Sequence, residues 1–154
     1  MHTVGQMIGE RRPVVALETE TVREAVRRMV ENRIGAVPVL SGDGKGRLVG
    51  MFTERDLLTR VVDQGLDPST VTLADVMTRD NLVSVAPESS HEAARKLMRK
   101  ASCRHVLVVA DGRLVGVSGL RDCLETDLSE KTEELKMLQA YVYYIPPELS
   151  AGNA

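Results

Sequence analysis

Apolar positions in this chain follow two alternating rhythms. Val14-Val15-Ala16-Leu17 is a short apolar run, long enough for a buried strand. Thr21-Val22-Arg23-Glu24 follows with the spacing of a capping box, which predicts that a helix opens there. Val22, Ala25, Val26, Met29 and Val30 then keep the three-to-four-residue spacing of one helix face. Arg23, Arg27, Arg28 and Glu31 cover the opposite face, and Asn32-Arg33 ends the helix. Ala36 to Leu40 and Arg47 to Thr53 read as two hairpin strands, turned by Ser41-Gly42-Asp43-Gly44-Lys45. A second helix opens at Thr53 or Glu54, runs through Leu57, Leu58, Val61 and Val62, and stops near Gln64-Gly65.

The same order then recurs. Gly65-Leu66-Asp67-Pro68-Ser69-Thr70 links to a short helical turn around Leu73 to Met77 and a strand over Leu82 to Ala86. Ser89-Ser90-His91-Glu92 has the capping-box form again and opens a helix through Ala93, Ala94, Leu97 and Met98. Strands His105 to Ala110 and Arg113 to Ser118 meet at the tight turn Asp111-Gly112, and the last helix begins near Leu120 or Arg121. Glu130 to Tyr144 reads as a charged helical extension with Leu135, Leu138, Val142 and Tyr143 at apolar spacing, ended by Pro146-Pro147. It is expected to pack either on the chain's own units or on a second copy.

The recurrence is literal in places. Gly46-Arg47-Leu48-Val49-Gly50 returns as Gly112-Arg113-Leu114-Val115-Gly116, and the Arg-Asp pairs Arg55-Asp56 and Arg121-Asp122 follow the two copies at the same distance. Upstream, Val14 aligns with Val83, Ala25 with Ala94, Met29 with Met98, Val37 with Val106 and Val39 with Val108. The offset changes within the first hairpin loop, which can absorb it. An internal period of this kind sets the architecture. The chain divides into a first unit over 1–64, a linker over 65–71, a second unit over 72–128 and a helical extension and tail over 129–154. The expected class is α+β (α/β), with two β-α-β-β-α units.

Composition narrows the functions. The 154 residues are 43% hydrophobic but only 3% aromatic, so the core must be aliphatic. A net charge of −2 leaves no electrostatic footprint for nucleic acid or an anionic membrane. No apolar run approaches the ~20 residues of a membrane span, and no signal peptide is visible. Cys103 and Cys123 lack zinc-like spacing and are expected to stay reduced, in keeping with a cytoplasmic protein. His2, His91 and His105 show no clustered pattern, so no metal site is expected, and His2 and His91 read as surface residues. Cys103 shares a strand face with His105, but nothing supplies an orienting carboxylate or an oxyanion hole, so no enzyme is expected. The Gly42 to Gly46 loop joins strands and precedes no helix, so it lacks phosphate-loop mechanics.

The order and duplication of these stretches resemble the CBS domain family, present as a tandem pair. The resemblance rests on Thr21 to Ala25 with Met29, Ile34 to Val39 and Leu48 to Asp56, and in the second copy on Asp75 to Thr78, Arg104 to Val108 and Leu114 to Asp122. It implies two units related by a pseudo-twofold, a cleft on each side and a homodimer. It also implies a regulatory role through an adenosine-containing ligand (AMP, ADP or ATP, with S-adenosylmethionine or NAD less favoured) and an effector protein that reads the outcome. The family's ligand signature, Gly-h-x-Thr/Ser-x-x-Asp with h apolar, is complete at Gly50, Thr53 and Asp56. A carboxylate on the first helical turn can accept from both ribose hydroxyls, and the helix amino end favours phosphate.

By the same analogy, the main cleft draws on Thr53, Arg55, Asp56, Thr78, Val83, Cys103, Arg104, His105 and Val106. Adenine would lie near Val83 and Val106, with phosphate facing Thr53, Arg104 or His105. The second cleft draws on Gly9, Val14, Ile34, Gly35, Ala36, Gly119, Arg121 and Asp122. Glycines occupy its two hydroxyl positions, so the Asp56 cleft is expected to be the better nucleotide site. The alternative is an interaction or dimerisation module whose clefts are vestigial.

Overall fold

The computed structural model describes residues 2–143. Its strands form two three-stranded sheets of identical order. In the first, β1 (Ala16–Leu17) runs parallel to β2 (Ala36–Leu40), which is antiparallel to β3 (Leu48–Thr53). In the second, β4 (Ser84–Val85), β5 (His105–Ala110) and β6 (Arg113–Gly119) repeat that arrangement. Helices α2 (Val22–Asn32) and α5 (His91–Ala101) connect the parallel strands. The two expected β-α-β-β-α units are therefore present.

Local chemistry sets the helix ends. At α2 the Thr21 hydroxyl accepts the Glu24 N–H at 3.2 Å while the Glu24 carboxylate accepts the Thr21 N–H at 2.8 Å. At α5 the cap is Ser90 and not Ser89; its hydroxyl accepts the Ala93 N–H at 3.0 Å. Both helices stop on a left-handed residue, Arg33 and Ser102, the same place in each copy. On α2, Val22, Ala25 and Met29 are buried, whereas Val30 is 70% exposed although it shares their spacing.

Residues of β2 and β5 are covered on both faces, which explains why these strands read as unbroken apolar runs. Val37 and Val39 face α2, and Val106 and Val108 face α5. The alternate positions, Ala36 and Leu107 with Met51, Val109, Leu114 and Val117, join the two sheets to each other.

Each unit is completed by the other's leading segment. Helix α1 (Val4–Ile8), which the hydrophobic pattern did not predict, docks into the second core through Val4 and Ile8. The Val4 N–H donates to the Ser89 carbonyl at 2.7 Å and the Gly5 N–H to that of Pro87 at 2.8 Å. Its counterpart, α4 (Leu73–Val76), docks into the first core through Leu73, Val76 and Met77. The repeated glycines permit this approach. A Cβ on Gly50 would stand 2.7 Å from Met77 Sδ and 2.8 Å from the Thr78 carbonyl oxygen; one on Gly116 would stand 2.7 Å from Ile8 Cδ1.

The helix after β3 begins as α3 (Glu54–Asp56) and continues π-wound through Leu57–Val62. Val61 is buried, while Leu58 and Val62 are largely exposed. After β6, α6 (Leu120–Tyr143) is one continuous helix, with no break where the extension was expected to begin. Leu135 and Leu138 lie exposed on it, so no surface of its own units covers them. Tyr144, Pro146 and Pro147, and the side chains of Val142 and Tyr143, lie outside the described residues.

Candidate functional site

The two repeated aspartates stand at equivalent places, on the first turn of the helix that follows β3 or β6. Their surroundings differ. Thr53 caps α3, accepting the Asp56 N–H at 3.2 Å, and the Asp56 carboxylate accepts the Thr53 N–H at 3.0 Å. The Thr78 hydroxyl lies 3.0 and 3.1 Å from the two Asp56 oxygens, and Arg60 Nε lies 3.6 Å from Oδ1. Thr78 is itself pinned against β3, exchanging two backbone hydrogen bonds of 2.9 Å with Met51. Asp56 is buried as a result. Thr53, Asp56 and Thr78, all expected to hold a ligand, hold one another.

At the second copy this closure is missing. Gly119 stands in place of Thr53 and carries no hydroxyl. The Asp122 carboxylate accepts only the Gly119 N–H, at 3.1 Å through Oδ2, among the described residues. Gly9 stands in place of Thr78. It ends α1 with φ 57° and ψ −142°, a positive-φ conformation that favours glycine. Beside Asp122 lies a cavity of about 780 Å³. Ile8, Arg11, Arg12, Pro13 and Val14 form one wall, Asn32, Arg33, Ile34, Gly35 and Ala36 another. His105, Gly116, Val117, Gly119, Arg121, Asp122 and Glu125 complete it. This cavity lies on the side the sequence ranked second. Gly119, which brings no hydroxyl to Asp122, is part of its lining.

Of the residues expected around Asp122, Val14, Ile34, Gly35, Ala36, Gly119, Arg121 and Asp122 line the cavity; Gly9 shapes it without lining it. His105, assigned to the Asp56 cleft, lines this one instead. Val106, expected near adenine, faces the α5 core and is fully buried. Neighbours in a strand point to opposite faces, and Val106 cannot share that of His105. Val83 and Cys103 pack on the same core, the Cys103 thiol donating to the His105 carbonyl at 3.4 Å. Arg55 and Arg104 are exposed and outside the cavity lining. His91, expected at the surface, is buried at the head of α5.

Arg11, Arg12 and Arg33 were missed. The signal existed in the repeat: Arg11-Arg12 aligns with Asp80-Asn81, and Arg33 with Ser102, so one cleft is basic where its counterpart is not. Arg11 is held by the Ile8 and Met7 carbonyls, each at 3.1 Å, and Arg121 pairs with Glu125 at 3.0 Å. Arg12 and Arg33 have no ion-pair partner among the described residues. Burial pushes the His105 imidazole below its ordinary pKa, against the partial opposition of Glu54 and Asp122, while Arg104 adds to the lowering. The cavity therefore offers a neutral imidazole, a carboxylate with spare acceptor capacity and two uncommitted guanidinium groups. Apolar surface from Val14, Ile34, Ala36 and Val117 lies between them.

Comparison with known proteins matches residues 4–63 and 73–129 to the CBS domain model. The chain is 33% identical over 124 residues to the mitochondrial CBS domain-containing protein CBSX3 of Arabidopsis thaliana, covering 80% of this chain and spanning 60% of that protein. It is also 33% identical to hypoxic response protein 1 of Mycobacterium tuberculosis, with 79% and 80% covered. A CBS domain protein from Pyrobaculum aerophilum, solved in complex with AMP, superimposes with a TM-score of 0.67 at 34% identity, covering 78% of this chain and 88% of that one. Among the described residues no helix is long and apolar enough to cross a membrane.

Proposed function

Since the chain belongs to the CBS domain family and carries two copies in tandem, we propose that it is a regulatory module binding an adenosine-containing ligand in the Asp122 cavity. The observation that carries this is the pairing of that cavity with a carboxylate that keeps a free oxygen. About 780 Å³ falls within the ~300–1,000 Å³ of ordinary small-molecule sites. In this reading the ribose hydroxyls donate to Asp122, and the purine lies against Val14, Ile34, Ala36 and Val117. The phosphate meets Arg12 and Arg33, with Arg11, Arg121 and the amino end of α6 behind them. An arginine rim favours AMP, ADP or ATP over the cationic S-adenosylmethionine.

Both units supply walls, so the ligand favours whichever inter-unit arrangement closes best around it. The output would be an altered surface for a partner protein or a second copy, to which the exposed Leu58, Val62, Leu124 and Leu128 are available. The internally satisfied Asp56 side supports a structural part for that cleft. Calorimetric titration with AMP, ADP, ATP, S-adenosylmethionine and GTP tests the reading. We expect one adenine-nucleotide site per chain, and heat from none of these ligands would refute it.

A further inference from the structure

His91 is the first residue of α5, and its side chain is 4% exposed. Its Nδ1 lies 3.0 Å from the His2 carbonyl oxygen, which can only accept, so the Nδ1 proton is fixed there. That leaves Nε2 directed at two carboxylates one turn apart on α6: Glu130 Oε2 at 3.5 Å and Asp127 Oδ1 at 4.0 Å. Both are ion-pair distances, longer than the about 2.7–3.2 Å of an N–H···O hydrogen bond. They do suit a shared ion. Ligands about 2.0–2.2 Å from a tetrahedral metal stand roughly 3.4 Å from each other, and these three ligand atoms all lie within 4.8 Å of one another.

We propose that His91, Asp127 and Glu130 bind a divalent first-row cation, with water in the fourth position. The surrounding groups fit that role. A metal-bound histidine characteristically donates its other ring N–H to a carbonyl or carboxylate, as His91 does to His2. Glu130 Oε1 accepts from the His2 N–H at 2.8 Å and lies 2.7 Å from His2 Nδ1, which orients the carboxylate. Arg95 and Lys131 hold the far oxygen of Asp127 at 3.5 and 3.4 Å. Their two positive charges moderate the affinity, so the site is of the exchangeable kind. Sequence separation hid it, because residues 2, 91 and 127–130 meet only in the fold. Its consequence is mechanical. The ion ties the segment leading into α1 to α5 and α6, the elements that carry Ile8 and Asp122 into the cavity.

Tag-free, chelator-treated protein is titrated with Zn²⁺ and separately with Mg²⁺, following thermal unfolding, and Co²⁺ uptake is followed by visible absorption. Zn²⁺ at 100 times its dissociation constant should raise the melting temperature by roughly 5–10 °C. Mg²⁺, which avoids imidazole, should not, and Co²⁺ should give the intense bands of a tetrahedral site. Asp127→Asn and Glu130→Gln keep the shapes of these half-buried side chains and should each weaken the shift at least tenfold in Zn²⁺ concentration. A flat Zn²⁺ titration of the folded wild type overturns the proposal, as does a shift that both variants retain.

Discussion

Replacing each repeated aspartate by alanine separates the two clefts, because the structure gives the two carboxylates different tasks. Asp56 is buried and bonded to the Thr53 N–H and the Thr78 hydroxyl. Its removal leaves both donors without their partner, at a cost of about 1–3 kcal/mol. For a chain of this length that lowers the melting temperature by roughly 2–12 °C. Among the described residues Asp122 accepts one hydrogen bond, from the Gly119 N–H to Oδ2, and it lines the cavity. Removing it deprives a ribose of its charged acceptor, worth about 1.5–3 kcal/mol, or roughly 10–100-fold in affinity for AMP. Calorimetry at 15 °C, with circular dichroism to confirm that both variants are folded, reads affinity; a melting scan reads stability. Asp122→Ala should lose AMP with a small change in melting, and Asp56→Ala should melt early with AMP affinity within about threefold. If the folded Asp56→Ala protein loses AMP while Asp122→Ala keeps it, the reasoning from spare acceptor capacity fails.

Two further outcomes are expected. Gly50→Ala should destabilise by about 1–3 kcal/mol, and by more than Gly116→Ala, in urea unfolding. At Gly50 the new methyl meets the Thr78 backbone at 2.8 Å, whereas at Gly116 it meets the movable end of Ile8; equal losses would contradict this. His105, held below its ordinary value by burial, favours its neutral form on folding. As pH falls below about 6.5 the unfolded chain takes up that proton first, so stability declines with acidity. Wild type should therefore lose more stability between pH 7.5 and 5.5 than His105→Gln, and matching losses would show that the imidazole is not desolvated.

Sequence alone determined the architecture and its twofold repetition. The capping box at Thr21, the helix start at Thr53, the apolar face Val22-Ala25-Met29, the runs of β2 and β5, and the duplicated Gly-Arg-Leu-Val-Gly are local signals, and local chemistry decides local structure. The continuity of α6 is also local, since nothing between Leu128 and Lys131 breaks a helix. Ser118 is legible in the same way: one position before Gly119 in a strand, its side chain points to the opposite face, and it is buried beside Cys123. Helix α1 could have been read too, as Thr3, Val4 and Ile8 align with Thr72, Leu73 and Met77.

What only the tertiary structure decided is which polar group answers which. A complete Thr-Asp signature says that donors and acceptors are present, not whether they are already spent on each other. Thr78, 22 residues from Asp56 in sequence, reaches that carboxylate because α4 docks into the first core. Gly9, at the equivalent place, brings no hydroxyl to Asp122, and a cavity lies beside that carboxylate. His91 and Glu130 likewise come together because α1 and α6 both pack on α5. Burial and satisfaction of polar groups depend on contacts made at long range, and a pattern read along the chain carries no measure of them.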